Sequence, residues 1–303
     1  MLLCEFRPSG VPGGSRLGIV EGELVYTTNE YKSMSEFLFS GRGPDSLRKQ
    51  GNGLSVGSVS LSAPIPRPGK IVAAIVNTQA MLGGNDLSLD RPRLDMKAPS
   101  TVIGPGEPIQ VPTSGIRPEV ELAAVVGRRI SRASPAEALT CIMGFTILND
   151  VTAPNDSKDD AYEAYRRDRA SGEIRKSLMR GPLFRSKNHD TFCPMGPWIA
   201  TADELRDKYN LKMTTKLDGD LLQSGSTSEY IFSPEQIASY VSSFLALEPG
   251  DIISCGSVGW TPEALEDRDP TEFTLKRTSG VLELHIDRIG NLVNPLGGSA
   301  GTK

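Results

Sequence analysis

The sequence predicts an α+β protein that is rich in β-structure. Apolar runs are short, and several alternate with polar residues, as half-buried strands do. The 303 residues include 31 Gly and 22 Pro, which favours short strands and loops over long helices. The clearest amphipathic helix is "SPEQIASYVSSFLAL" (233–247). Ser233 caps it, Pro234 sits at its first position, and Ile237, Val241 and Leu245 repeat on one face.

The other elements follow in order. "RLGIVEGELVYT" reads as a hairpin around Glu21-Gly22, and "SMSEFLFSG" as a short helix capped by Ser35. In "SAPIPRPGK", Pro64, Pro66 and Pro68 exclude helix and central strand. We therefore expect a small N-terminal β-containing module over 1–63, a linker over 64–69 and the main domain over 70–303. "KIVAAIV" opens that domain as a buried strand. The long Gly-, Asp- and Pro-rich stretch 77–100 fits a lid or binding loop. "PIQVP" and "CIMGFTILND" read as strands, and "SPAEAL" as a helix start capped by Ser134. "LKMTTKLDGDLLQSG" reads as a hairpin around Asp218-Gly219, and "VLELHIDRIGNLVNP" as a terminal strand or hairpin.

The net charge is −4, and no basic block is interleaved with aromatics, which argues against nucleic acid. The densest charged run, "YRRDRASGEIRK", also contains acids and reads as a solvated helix. Cys4, Cys141, Cys193 and Cys255 are far apart, so neither a disulfide framework nor a zinc site is expected. No segment has signal-peptide or membrane-spanning character. A reduced, soluble, cytoplasmic protein without a membrane partner is the expectation.

"RPEVELAAVVG" (117–127) carries the chemistry. In a strand, residues two apart share a face at roughly 6.5–7 Å. Glu119 and Glu121 then share one face, and Val120, Leu122, Ala124 and Val126 the other. Two acids converging at a partly buried site repel unless positive charge lies between them, and a hard divalent cation meets that need. For E-x-E alone, an edge strand with a solvated acidic face is the better reading. Asp150 ends the apolar run of "GFTILNDVTAPND" and adds a third carboxylate at a strand end. Lys187, in "SKNHDTFCPMGPW", suits the stabilisation of a developing enolate or oxyanion; a surface lysine is the alternative.

Together, "RPEVELAAVVG", "GFTILNDVTA", "KNHDTFCPMGPW", "LLQSGSTSEYIF" and "LEPGDIISCGSVG" occur in the order and spacing of the fumarylacetoacetate hydrolase family. "MKAPSTVIGPGEPIQVP" resembles the approach to that family's metal strand, and the likeness spans about 68–296. The resemblance implies a mixed β-roll or β-sandwich with few short helices, and a homodimer. It also implies a Mg²⁺ ion (or Mn²⁺ or Ca²⁺) held by Glu119, Glu121 and Asp150, with Lys187 as the active-site lysine. Gln223 and Thr227 fall in the "Q-x-G-x-T" segment and Ser257 in the substrate-approaching turn. The substrate implied is a small 2-oxo acid or β-dicarbonyl compound.

The pattern also breaks. The family's lid "N-Y-x-x-H-x-x-E" carries a His–Glu pair that activates water. Here "NTQAMLGG" puts Met81 and Gly84 at those positions, and neither transfers protons. His189 is the candidate substitute acid/base, while His285 reads as a packed or edge-strand residue. Pro154 stands where the family often has a substrate-holding Arg, and Tyr162, Tyr165, Arg166, Arg167 and Arg169 follow as possible replacements. Val258 replaces a usual Pro, and Arg117-Pro118 an acid and an aromatic. Metal-stabilised enolate chemistry remains, as C–C bond hydrolase or lyase (decarboxylase), or alternatively as tautomerase, isomerase or dehydratase. A non-catalytic metal- and oxo-acid-binding relic is the alternative of another class.

Overall fold

The structure is a computed structural model that describes residues 1–8, 14–28, 30–83, 87–205 and 209–298. At its centre lies the strand Val120–Val126, every residue of which is buried. It pairs antiparallel with Ile142–Asn149 on one side and with Ile252–Ser257 on the other. Ile71–Ile75 runs parallel to Ile252–Ser257, and Arg93–Lys97 closes that edge. Beyond Ile142–Asn149 come Cys193–Thr201 and then the N-terminal strands Leu2–Pro8, Arg16–Glu21, Leu24–Thr27 and Gln50–Ser55. Residues 1–63 therefore extend the same twelve-stranded sheet, with Leu2 opposite Ala200 and Leu3 opposite Ile199. The proline-rich stretch behind them is packed, with Ile65 buried.

A second sheet holds Asp220–Ser226, Lys212–Leu217, Val281–Ile286, Gly290–Gly298 and Ile109–Val111. The alternation read from "RPEVELAAVVG" explains how the layers meet. Val120, Leu122, Ala124 and Val126 pack in one cluster with Met213, Leu282, Leu284 and Ile286 of the second sheet. Ala123 and Val125 face the other way, into a cluster with Leu3, Leu17, Phe37 and Ile71. Each buried Val or Leu contributes about 1.5–3 kcal/mol, so this strand is held from both faces. The β-rich fold with few short helices expected from the sequence is the fold observed.

The hairpins at Glu21-Gly22 and Asp218-Gly219 form as expected, as does the terminal hairpin Val281–Ile286/Gly290–Gly298. The helices Pro135–Cys141 and Pro234–Ser242 start at capping boxes on Ser134 and Ser233. Two expectations need correction. The helix Met34–Phe39 is capped by Ser33, whose side chain accepts from the Glu36 amide, and not by Ser35. The charged run is not a helix: Tyr162–Arg167 and Ile174–Met179 form an isolated two-stranded ribbon. Its turn is set by Asp168, whose Oδ1 accepts from the Ala170 and Ser171 amides at 3.0 and 2.7 Å, and by Gly172 at φ 73°. Among the described residues, no helix is long and apolar enough to cross a membrane. The four cysteines are free.

Candidate active site

The antiparallel pairing places the start of Val120–Val126 beside the C-terminal ends of both neighbouring strands. Glu121 lies opposite Leu148 on one side and Ser257 on the other. Beyond the strand end, the Asp150 amide donates to the Glu119 carbonyl at 3.0 Å, and Asn149 Oδ1 accepts from the Glu119 amide at 3.0 Å. These bonds bring Asp150 to the two glutamates. A cavity of about 160 Å³ opens here, lined by Glu119, Glu121, Asp150, Lys187 and Ser257, with Met81, Arg117 and Arg180 also on its wall.

Three carboxylates, each at most 4% exposed, thus share one cavity. Lys187 Nζ donates to Asp150 Oδ2 at 2.5 Å and lies 3.6 Å from Glu119 Oε2. Lys97 is fully enclosed. Its Nζ lies 2.7 Å from Asp150 Oδ1 and donates to the carbonyls of Val151 and Lys187, both at 2.9 Å. Burial opposes the charge on Asp150, but the two lysines outweigh it and hold the carboxyl well below its ordinary range. Burial likewise opposes the Lys187 ammonium, yet Asp150, Glu119 and Glu121 raise its pKa above that of a free lysine. These carboxylates therefore favour the charged form of Lys187.

Glu121 differs. Burial first, and then the charge of Asp150, push its carboxyl up to about 8. Its Oε2 accepts from the Ser254 hydroxyl at 2.5 Å and the Gly256 amide at 3.0 Å. Gly256 adopts φ 95°, and a Cβ there would stand 2.7 Å from Asn77 Cβ, so the glycine lets this loop close on the acid.

Among the described residues, no three acid, Cys or His side chains are gathered tightly enough to grip a metal ion as they stand. The donor chemistry nevertheless fits a hard divalent cation. The three groups are oxygen donors on one cavity wall, and Glu121 lacks the close cationic partner that Asp150 has.

The remaining sequence candidates separate by position. Ser257 is on the wall, and its Oγ accepts from Gln223 Nε2 at 3.0 Å. Gln223 is fully buried behind it. Its Oε1 accepts from the Val120 amide and the Thr215 hydroxyl, and its Nε2 also donates to the Val258 carbonyl. Gln223 thus braces the start of the acid-bearing strand and does not face the cavity. Gln223→Leu is expected to orphan these groups and to destabilise the protein by about 2–4 kcal/mol in urea unfolding. A loss under about 0.5 kcal/mol would refute the bracing role. Thr227 is buried off the wall, accepting from the Leu211 amide at 2.9 Å. His189 is also off it: Nε2 is 2.5 Å from Asp156 Oδ2, and the ring packs on Phe192. His285 lies on an interior strand of the second sheet, between Thr214 and Asn291, with its ring against Asn291 and Asp287. Met81 reaches the cavity, and Gly84 lies outside the described residues.

Sequence reasoning missed Lys97 and Arg180. "MKAPSTVIG" contained Lys97, but its burial depends on partners 54 and 90 residues away.

The profile of the family described as "Fumarylacetoacetate (FAA) hydrolase C-terminal" matches residues 70–296. The 2,4-didehydro-3-deoxy-L-rhamnonate hydrolase of Sphingomonas sp. (strain SKA58) is 32% identical over 297 residues, covering 96% of this chain and 94% of that protein. The mitochondrial oxaloacetate tautomerase fahd2 of Xenopus laevis is 29% identical, covering 98% and 90%. Among solved structures, fumarylacetoacetate hydrolase from the psychrophilic Exiguobacterium antarcticum superposes with a TM-score of 0.77 at 26% identity. That superposition covers 98% of this chain and 99% of the other.

Proposed function

This chain belongs to the fumarylacetoacetate hydrolase family, and on that premise we propose that it acts on a 2-oxo acid by stabilising its enolate, moving a proton between carbon and oxygen. It is an enzyme: its relatives are named enzymes along nearly the whole chain, which leaves the non-catalytic alternative without support.

The observation that carries this reading is the composition of the cavity wall. It joins three buried carboxylates to Lys187, whose charged form they favour, and has Met81 where a water-activating histidine would stand. Glu119, Glu121 and Asp150 would hold a divalent cation, Mg²⁺ or Mn²⁺, which when bound polarises the oxo group. Lys187 Nζ, on the same cavity wall, would add positive charge there and lower the cost of enolate formation. The Ser257 hydroxyl, whose oxygen already accepts from Gln223, keeps its proton to donate toward the ligand. A proton shift consumes no water as a nucleophile, so it asks less of the missing lid pair than hydrolysis does; in its absence solvent water would carry the proton from carbon to the enolate oxygen. Hydrolysis of a C–C bond is the second reading, favoured by the rhamnonate hydrolase relative.

The test is to mix the Mg²⁺- or Mn²⁺-loaded enzyme with oxaloacetate or an acylpyruvate, follow enol absorbance, and assay the carbon products. Faster enol–keto exchange with the carbon skeleton kept supports the proton shift. Stoichiometric cleavage products would replace it with hydrolysis or decarboxylation. We place the enzyme in a reducing compartment, in keeping with its four free cysteines.

A further inference from the structure

The cavity has an apolar side as well as an acidic one. The strands Ile142–Asn149, Val120–Val126, Ile252–Ser257 and Ile71–Ile75 lie side by side in that order. The acids are therefore flanked by the chain that follows Asp150 on one side and by the chain that follows Ile75 on the other. Each flank puts apolar side chains on the wall: Pro154 and Leu183 on the first, Val76 and Met81 on the second. The Ala153 amide donates to the Ser186 carbonyl at 2.8 Å and the Gly181 amide to the Ser157 carbonyl at 3.0 Å, which holds the segment of Leu183 against that of Pro154. Val76 adopts φ 60°, a left-handed conformation rare for a β-branched residue and sustained only where the surroundings over-determine it. Here its neighbours are pinned. Asn77 Nδ2 donates to the Cys255 and Phe232 carbonyls at 2.7 and 2.9 Å, and the Thr78 hydroxyl donates to the Ser257 carbonyl at 3.1 Å. Val76, Met81 and Leu183 are half-buried, yet among the described residues none of them joins a core cluster. Their apolar surface is spent on the cavity, not on the core.

We propose that Val76, Met81, Pro154 and Leu183 form an apolar clamp for the substrate's tail, so that the substrate is a 2-oxo acid with a short, uncharged alkyl or acyl tail. This rests on the reading of the cavity as an oxo-acid site. An apolar tail between these side chains leaves water together with them, which is worth about 4-fold in affinity for each methylene buried. A carboxylate in the same place would lose its hydration without gaining a partner. The two guanidinium groups on the wall do not supply one. Arg117 Nε lies 3.4 Å from Glu119 Oε1, at the acid end, and Arg180 is exposed, with its Nε donated to the Ser157 hydroxyl at 3.3 Å. The cavity volume, about 160 Å³, lies below the roughly 300–1,000 Å³ of drug-sized pockets, so the tail is short. The strained backbone at Val76 then has a use: it sets an isopropyl group on the wall, where a relaxed glycine turn would leave a gap.

The test uses three probes with one 2-oxo acid head: oxamate, which has no tail, N-isobutyloxamate, and N-oxalylglycine, which has a carboxylate where N-isobutyloxamate has two methyl groups. Each is titrated calorimetrically into the Mg²⁺-loaded full chain, as wild type, Val76→Gly, Leu183→Ala, Leu183→Met and Met81→Lys. Wild type is expected to bind N-isobutyloxamate roughly 10- to 100-fold more tightly than oxamate, and N-oxalylglycine no more tightly than oxamate. Val76→Gly and Leu183→Ala should each lose roughly 5- to 30-fold of the affinity for N-isobutyloxamate, with that for oxamate held. Glycine takes φ 60° without strain, so Val76→Gly keeps its melting temperature, and the loss is not one of folding. Leu183→Met should retain most of the wild-type affinity, and Met81→Lys should turn the preference toward N-oxalylglycine. Equal affinity of wild type for oxamate and N-isobutyloxamate, tighter binding of N-oxalylglycine than of N-isobutyloxamate, or a tail preference that survives both Val76→Gly and Leu183→Ala overturns the clamp. Failure of metal-loaded wild type to bind any of the three overturns the oxo-acid reading, and the clamp with it.

Discussion

Asp150→Asn is expected to abolish metal-dependent turnover and to destabilise the metal-free protein. Asp150 is the group on which the site converges. Lys97 approaches one carboxylate oxygen at 2.7 Å and Lys187 the other at 2.5 Å. Asn keeps the shape but removes the charge, leaving two buried ammonium groups without their closest counter-ion. Breaking a buried pair in this way costs about 3–5 kcal/mol, which appears as an earlier unfolding midpoint. The second effect is on the cation. In wild type, metal at about 100 times its dissociation constant stabilises by about 2.7 kcal/mol, a rise of several degrees in melting temperature. In Asp150→Asn that rise should vanish, and turnover should fall by about 10³-fold or more, since both the ligand charge and the polarisation it supports are lost. Calorimetric titration of Mn²⁺ into both proteins separates the two effects. Unchanged Mn²⁺ affinity in a folded Asp150→Asn would remove Asp150 from the proposed ligand set, whatever the activity.

What the sequence made legible follows from how local the cause is. Two acids two residues apart, followed by an apolar alternation, needed only strand geometry to be placed on one face, and the two core clusters divide this strand by that alternation. Caps and hairpin turns were legible for the same reason. Lys97 was not, because its enclosure depends on the carbonyls of Val151 and Lys187, distant in the chain. Gln223 falls in a motif that resembles a substrate segment, but its four internal bonds exist only once its strand has met three others. The ribbon Tyr162–Met179 was hidden by its charges. Neither strand keeps a period-2 apolar pattern: Tyr162 and Tyr165 fall on opposite faces, Ile174 and Leu178 are exposed, and no apolar face marks it as a strand pair. Misreading it also obscured Arg180, which reaches the cavity only because the ribbon returns the chain to Ser157.

Lys187→Met is the complementary change, expected to lower kcat by about 10²- to 10³-fold while sparing the metal. The reasoning is electrostatic. The ammonium lies against Asp150 and Glu119, whose charges hold its pKa above the ordinary lysine value. These neighbours favour its charged form. Its contribution is a preorganised positive charge next to an oxygen that becomes anionic, and removal of one such donor costs roughly 10²–10³ in kcat. The same ammonium competes with a divalent ion for the carboxylates, so its removal should leave Mn²⁺ affinity equal or higher. Lys97 still neutralises Asp150 in the variant, which limits the loss of stability. Low kcat with retained metal binding identifies a charge that acts on the reacting oxygen. A parallel loss of Mn²⁺ affinity would instead make Lys187 a support for the ligand set, and a rate limb that tracks lysine deprotonation in wild type would make it a base.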